Sequence, residues 1–180
     1  MPEAEAATLV RSAGRPQVAA KAIVQCARER REAQGLEADT ILVAVGGGGL
    51  IAGALAWIDG RRKVVAVEPE TACALHAALE AGSQVDVTVS GVAASALGAS
   101  RVGDICFDLA REKKIESILV SDAAIIDAQQ ALWQNLRLAV EPGGAACVLL
   151  VSCLPPRVYR RVYCRALNLI GKCRDSFFCV

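Results

Sequence analysis

Four consecutive glycines, Gly46 to Gly49, separate two apolar stretches, residues 43–53 reading Val-Ala-Val-Gly-Gly-Gly-Gly-Leu-Ile-Ala-Gly. The segment before them, residues 41–45, is β-branched and apolar. The segment after them, residues 50–58, is Ala-rich and helix-compatible. Strand, glycine turn, helix is a backbone suited to holding a phosphate. Glycine lets the turn reach φ values closed to other residues and lets the main chain approach an anion. The helix that follows points its free N–H groups and its positive dipole end at the same place.

The chain has 180 residues, enough for one domain with a real core. It is 54% hydrophobic and 22% charged, a globular balance, and its net charge of +1 gives no general electrostatic case for nucleic acid or a membrane. The longest apolar stretch, residues 41–58, is broken by the four glycines, which argues against a spanning helix. The start, Met-Pro-Glu-Ala-Glu, has no basic region of the kind that opens a signal peptide, so a cytoplasmic location is expected. Eight cysteines occur without a Cys-x-x-Cys pair and with His76 as the lone histidine, which argues against zinc. Most are flanked by Ala or Val and are read as small core hydrophobes.

Apolar runs and breakers give an alternating order. Strands are predicted at residues 41–45, 63–67 and 117–120, with an edge strand at 85–89. Helices are predicted at 50–58, at 71–81 with Gly82 as its terminator, at 104–113, and at 122–140 capped by Ser121 or Asp122. Residues 91–103 read as a loop of small residues, and Pro142-Gly143-Gly144 as a break before an apolar segment at 145–151. Strands alternating with helices predict an α/β fold, a parallel sheet flanked by helices.

The glycines admit two ligand readings. Gly47, Gly49 and Ala52 fit G-x-G-x-x-A, and Glu68 ends the next strand where an acid would hold a ribose hydroxyl; together they make an NAD(P)-binding oxidoreductase. Four contiguous glycines also make a nest of N–H groups suited to a single phosphate dianion. A turn that binds nothing is disfavoured, because four glycines weaken a fold through backbone entropy. A non-catalytic module that binds a phosphate ligand or a partner is a third reading.

Further segments follow in order: Val-Ala-Val-Glu-Pro-Glu at 65–70, Ser-Gly-Val-Ala at 90–93, Leu-Val-Ser-Asp at 119–122 and Val-Glu-Pro-Gly-Gly-Ala-Ala at 140–146. Each is weak alone. With the glycines, the ordered series resembles the pyridoxal-phosphate enzymes of the threonine/serine dehydratase family, with the tryptophan-synthase-β-like fold (fold type II), over residues 41–150. The resemblance implies that this chain is part of a fold type II large domain. It implies pyridoxal 5'-phosphate as cofactor, its phosphate held by the main-chain N–H groups of Gly46, Gly47, Gly48, Gly49 and Leu50. It also implies an ammonia-lyase that converts L-threonine or L-serine to a 2-oxo acid and ammonia, in a homo-oligomeric full-length parent.

The resemblance assigns further roles. Glu68 looks like the glutamate that serves a structural divalent cation in some members, with the Ala72 carbonyl beside it. Ala74 stands where an acid is expected and has no carboxylate, so a capping or solvated Glu68 is favoured over a metal. Ser90-Gly91 and Glu141 look like segments near the cofactor ring, and Glu141 reads equally as a helix-end residue before Pro142. His76 is expected on a helix surface, and Trp57 and Trp133 are expected to pack.

The Schiff-base lysine of the family has no counterpart in context. Lys21, Lys63, Lys113, Lys114 and Lys172 all lack the Ser-x-Lys-x-Arg-Gly-like setting, so no catalytic residue is assigned. The glycine-rich turn that places a hydroxyl or thiol at the pyridine nitrogen is not found after residue 151. Residues 1–40 read as an atypical N-terminal segment, 41–151 as the phosphate-binding α/β region, and 152–180 as an atypical Cys/Arg-rich tail. The expectation is a distal fragment whose ends derive from frame shifts or aberrant gene boundaries, with no turnover of its own. A nucleic-acid or membrane-binding role for the basic tail is the less favoured reading.

Overall fold

The computed structural model describes residues 40–58, 60–153 and 162–165. Expectations placed on residues 1–39, including Lys21, and on most of the tail, including Lys172, lie outside the described residues.

Three predicted strands form at β1 (Thr40–Ala44), β2 (Lys63–Pro69) and β3 (Glu116–Val120). They pair in parallel, β1 with β2 from Thr40 opposite Lys63 and β2 with β3 from Val65 opposite Glu116. A fourth strand, β4 (Val162–Arg165), pairs in parallel with the other edge of β1, so the spatial order is β3-β2-β1-β4. β4 comes from the stretch read above as an atypical tail, where no strand was expected.

Helices α1 (Gly49–Ile58), α2 (Ala74–Ala81), the short α3 (Ala94–Leu97), α4 (Asp104–Glu112), α5 (Asp122–Leu136) and α6 (Pro142–Cys153) connect and cover the sheet. Alternation along the strands sorts them into two layers, because successive strand side chains point to opposite faces. Val43, Val45, Val64 and Ala66 face one side and bury against Ile51 and Leu55 of α1, Leu75 and Ala78 of α2, and Cys106, Phe107 and Ala110 of α4. Leu42, Val65, Val67 and Val120 face the other side and bury against Leu97 of α3, Ile125 and Ala128 of α5, and Ala145 to Cys147 of α6. Cys106 and Cys147 are buried core hydrophobes, as expected, whereas Cys73 is half-buried.

Five local expectations are corrected. Residues 85–89 form no strand; Val87 N–H instead donates to Ser100 O (2.8 Å), tying that segment to a loop. The loop of small residues contains α3, whose Leu97 N–H donates to Ala93 O at 2.8 Å. The α5 helix ends at Leu136 rather than 140, because Arg137 turns left-handed (φ 56°). Pro142 does not break a helix but opens α6, where a first-turn proline forfeits only an N–H that has no partner in any helix. Trp133 is 52% exposed and carries the Arg137 guanidinium 5.8 Å above its ring, so it is not a packing residue. No helix among the described residues is long and apolar enough to cross a membrane.

Candidate phosphate-binding site

Parallel strands deliver their following turns to one edge of the sheet, the edge on which ligands of open α/β sheets sit. Three strand-to-helix junctions lie there: the glycine turn after β1, residues 70–73 after β2, and Ser121 after β3.

The glycine turn begins where Val45 N–H donates to Val67 O (2.9 Å), which fixes the end of β1 beside β2. Gly48 takes φ +86°, and a Cβ there would overlap the Cys106 sulfur and the Val102 side chain. Only glycine fits both the backbone conformation and the space. A Cβ on Gly46 would lie 3.1 Å from Leu97 Cα, so α3 presses directly on the start of the turn. Gly47 is the exposed apex, with only the Ala99 methyl at 4.0 Å. Its carbonyl accepts from Gly103 N–H at 3.3 Å, which orients the peptide. The first α-helical bond of α1 runs from Ala52 N–H to Gly48 O (3.0 Å). Among the described residues no acceptor faces the amides of Gly46, Gly47, Gly48, Gly49 or Leu50. These are the orphan donors of a helix N-terminus and of the turn leading into it, with Gly47 exposed at the apex. That donor set fits a phosphate dianion.

Glu68, the last-but-one residue of β2, is 0% exposed. Its Oε1 accepts from Leu75 N–H (2.9 Å) and its Oε2 from His76 N–H (2.7 Å), the first-turn amides of α2. Ser117 Oγ donates to Oε2 at 3.4 Å. Glu68 therefore caps α2 from the neighbouring strand, in place of Cys73, whose side chain makes no cap bond. Burial pushes its carboxyl up from 4.5 to about 7, against the hydrogen bonds that favour the ionised form. The capping reading holds; the solvated one does not. The ribose-binding role is overturned, since both oxygens are committed inside the fold. The Ala72 N–H donates to Pro69 O (3.0 Å) in the same junction, and Ala74 opens α2. His76 lies on α2 half-buried, its Nδ1 3.2 Å from Ser117 Oγ and its Nε2 3.5 Å from the Glu80 carboxylate.

Ser90-Gly91 comes to the same edge: Ser90 N–H donates to Thr71 O (2.9 Å). Glu141 is exposed, and its carbonyl accepts Ala145 N–H (3.0 Å), making it the residue before a helix rather than at its end. The three described lysines are elsewhere. Lys63 opens β2 and pairs with Glu116 at the start of β3, while Lys113 and Lys114 end α4 just before β3. All three belong to the opposite edge of the sheet. Sequence reasoning missed Thr71, Asp122 and the 97–103 segment as neighbours of the site. The Gly at 98 and 103 was the available signal, and it was read as loop.

Comparison with known proteins agrees with this geometry. The pattern of the family described as pyridoxal-phosphate dependent enzyme matches residues 2–156. The biosynthetic L-threonine dehydratase of Salmonella typhimurium is 41% identical over 110 residues, which is 59% of this chain and 21% of the dehydratase. The catabolic L-threonine dehydratase of Escherichia coli is 32% identical over 120 residues, covering 64% of this chain and 36% of the relative. The chain thus spans well under half the length of either. Among solved structures, a threonine deaminase from T.th. superposes with a TM-score of 0.67 at 25% identity, over 82% of this chain and 54% of that one. Maize serine racemase gives 0.65 at 28% identity, over 74% and 40%. With a family match over most of its length and a parallel α/β sheet like that of the solved structures it resembles, this chain belongs to the pyridoxal-phosphate-dependent enzymes.

Proposed function

We propose that this chain is the phosphate-holding part of an ammonia-lyase that acts on L-threonine or L-serine in the cytoplasm. Residues 41–151 form its cofactor-phosphate region, flanked by 1–40 and 152–180. The amides of Gly46, Gly47, Gly48, Gly49 and Leu50 hold the 5'-phosphate of pyridoxal phosphate. When bound, that cofactor supplies an electron sink for loss of the substrate α-proton and β-hydroxyl, the route to a 2-oxo acid and ammonia. The observation that carries the reading is the glycine turn with Gly47 exposed at its apex, whose N–H groups have no acceptor among the described residues. Glu68 is assigned to holding α2 rather than a cation, because its two oxygens already accept from Leu75 and His76. No lysine among the described residues lies at the glycine edge, and the role assigned to residues 41–151 is to orient the cofactor.

The test is a binding series on the purified full chain with pyridoxal 5'-phosphate, pyridoxine 5'-phosphate, pyridoxine and NADH. The two phosphate esters should bind about tenfold or more tightly than pyridoxine, as expected for a phosphate held by several amides. Binding of NADH with no preference for the phosphate esters would select the dinucleotide reading. Ammonia release from L-serine or L-threonine by the purified chain would refute the assignment of a purely orienting role.

A further inference from the structure

Thr71 and Asp122 meet at the glycine edge although 51 residues separate them, Thr71 Oγ1 donating to Asp122 Oδ1 at 3.1 Å. The other carboxylate oxygen of Asp122 accepts from Val92 N–H at 3.3 Å. Ser90 N–H donates to Thr71 O at 2.9 Å. Gly91 lies between these contacts with φ +82°, and a Cβ on it would overlap Thr71 Oγ1 and both carboxylate oxygens. The turn at residues 90–92 is thus gripped by one side chain from the β2 junction and one from the first turn of α5.

The grip continues to the glycine turn. Ala94 N–H donates to Gly91 O (3.3 Å), and α3 follows at once, with Leu97 N–H on Ala93 O (2.8 Å). Leu97 is the residue whose backbone presses on Gly46, and Gly103 N–H holds the Gly47 carbonyl. Gln84 braces the far end, its amide donating to Val102 O (2.9 Å) and to Asp104 Oδ1 (2.8 Å). Residues 90–103 therefore form a strap anchored at one end by Thr71 and Asp122 and lying against Gly46 and Gly47 at the other.

We propose that Thr71 and Asp122 are positioning residues for the phosphate cradle: through the 90–92 turn and α3 they fix the peptide planes of Gly46 and Gly47, and so the direction of the donors. This rests on the phosphate reading of the glycine turn. Neither side chain need touch the ligand. A glycine turn has no side chains of its own to stiffen it, so its donors stay aimed only if neighbours hold the backbone. Packed backbone against backbone at Leu97 and Gly46 transmits displacement, because close-packed interiors yield little.

The test measures the affinity ratio of pyridoxine 5'-phosphate over pyridoxine in the full chain and its variants, with amide hydrogen exchange of residues 46–50 alongside. Asp122→Ala, which removes both hydrogen bonds of the clamp, should lower the ratio about tenfold, the part of their loss that reaches the glycine turn. Thr71→Ala and Asp122→Asn, each keeping part of the clamp and serving if Asp122→Ala does not fold, should lower it about threefold. Exchange at 46–50 should quicken in all three. A ratio unchanged in folded variants, or faster exchange confined to 90–92, overturns the proposal and leaves the phosphate reading standing. Absence of any phosphate preference in the wild-type chain overturns the phosphate reading itself. The exchange measurement then still decides whether the clamp holds the glycine turn.

Discussion

Three strands of one sheet each run into a helix at the same edge, and the three junctions treat the helix N-terminus differently. After β2, a buried carboxylate from the chain itself, Glu68, takes the Leu75 and His76 amides of α2. After β3, Ser121 Oγ accepts from Ala124 N–H at 3.3 Å and closes α5. After β1 nothing among the described residues closes α1, and glycines stand where a capping side chain would. Every helix begins with amides that need an acceptor. A junction that supplies its own acceptor is structural. One that withholds it and clears away side chains is open to an anion from outside. Within one molecule, the junctions after β2 and β3 are closed by their own side chains and the one after β1 is not.

The largest effect should come from filling the open junction at its base. Gly48→Ala places a methyl into Cys106 and Val102 at a positive φ, and should destabilise the chain by about 3 kcal/mol or more in urea unfolding. A fully folded variant would mean that the turn is not braced from below. Nearly as large is the loss of the closed junction's acceptor. Glu68→Ala leaves two helix amides and the Ser117 hydroxyl without it, a loss of about 3 kcal/mol.

Glu68 also gives that junction a pH dependence with a definite sign. Its carboxyl is raised by burial from 4.5 to about 7, so the folded state holds the proton more tightly than the unfolded one. The stabilisation is complete below about pH 4.5 and is lost as pH rises through about 7, a change on the order of 3 kcal/mol. Urea midpoints of the wild type should fall between pH 5 and 8, and that slope should flatten in Glu68→Gln. A midpoint that instead rises with pH would show the carboxylate to be stabilised by its amides more than it is penalised by burial.

At the apex of the open junction the expectation reverses, with binding affected and stability spared. Gly47 has room and no positive φ, so Gly47→Ala should stay within about 1 kcal/mol of the wild type. Its methyl would stand where the anion approaches, and pyridoxine 5'-phosphate should bind about tenfold more weakly, measured by fluorescence titration. Unchanged affinity would move the phosphate away from this turn. The smallest change belongs to the third junction, where Ser121→Ala should lower stability by about 1 kcal/mol and leave ligand binding untouched.

The glycine turn, the parallel strands and the Ser121 cap were legible because each is a local pattern. Apolar β-branched runs, four glycines between them and a hydroxyl before a helix carry their meaning within a few residues. The failures are all cases where distant residues decide. Residues 85–89 alternate like a strand, yet Ser100 and Gln84 tie that stretch to a loop. Trp133 sits at a helical spacing shared with core residues and nonetheless faces outward. Glu68 sits where a dinucleotide fold would place a ribose acid, but α2 returns over the end of β2 and its amides take the carboxylate.

By itself, then, the sequence determined the α/β class, the position of the glycine turn and the family, since these rest on short-range periodicity and on an ordered series of motifs. Only the tertiary structure decided that the N-terminus of α2 is closed, by the buried Glu68 carboxylate of the neighbouring strand. It also brought Thr71, Gly91 and Asp122 together at the edge of the site. Both outcomes depend on hydrogen bonds between residues that the chain separates and the sheet reunites, and no local pattern records which partner a buried carboxylate or a free amide will meet.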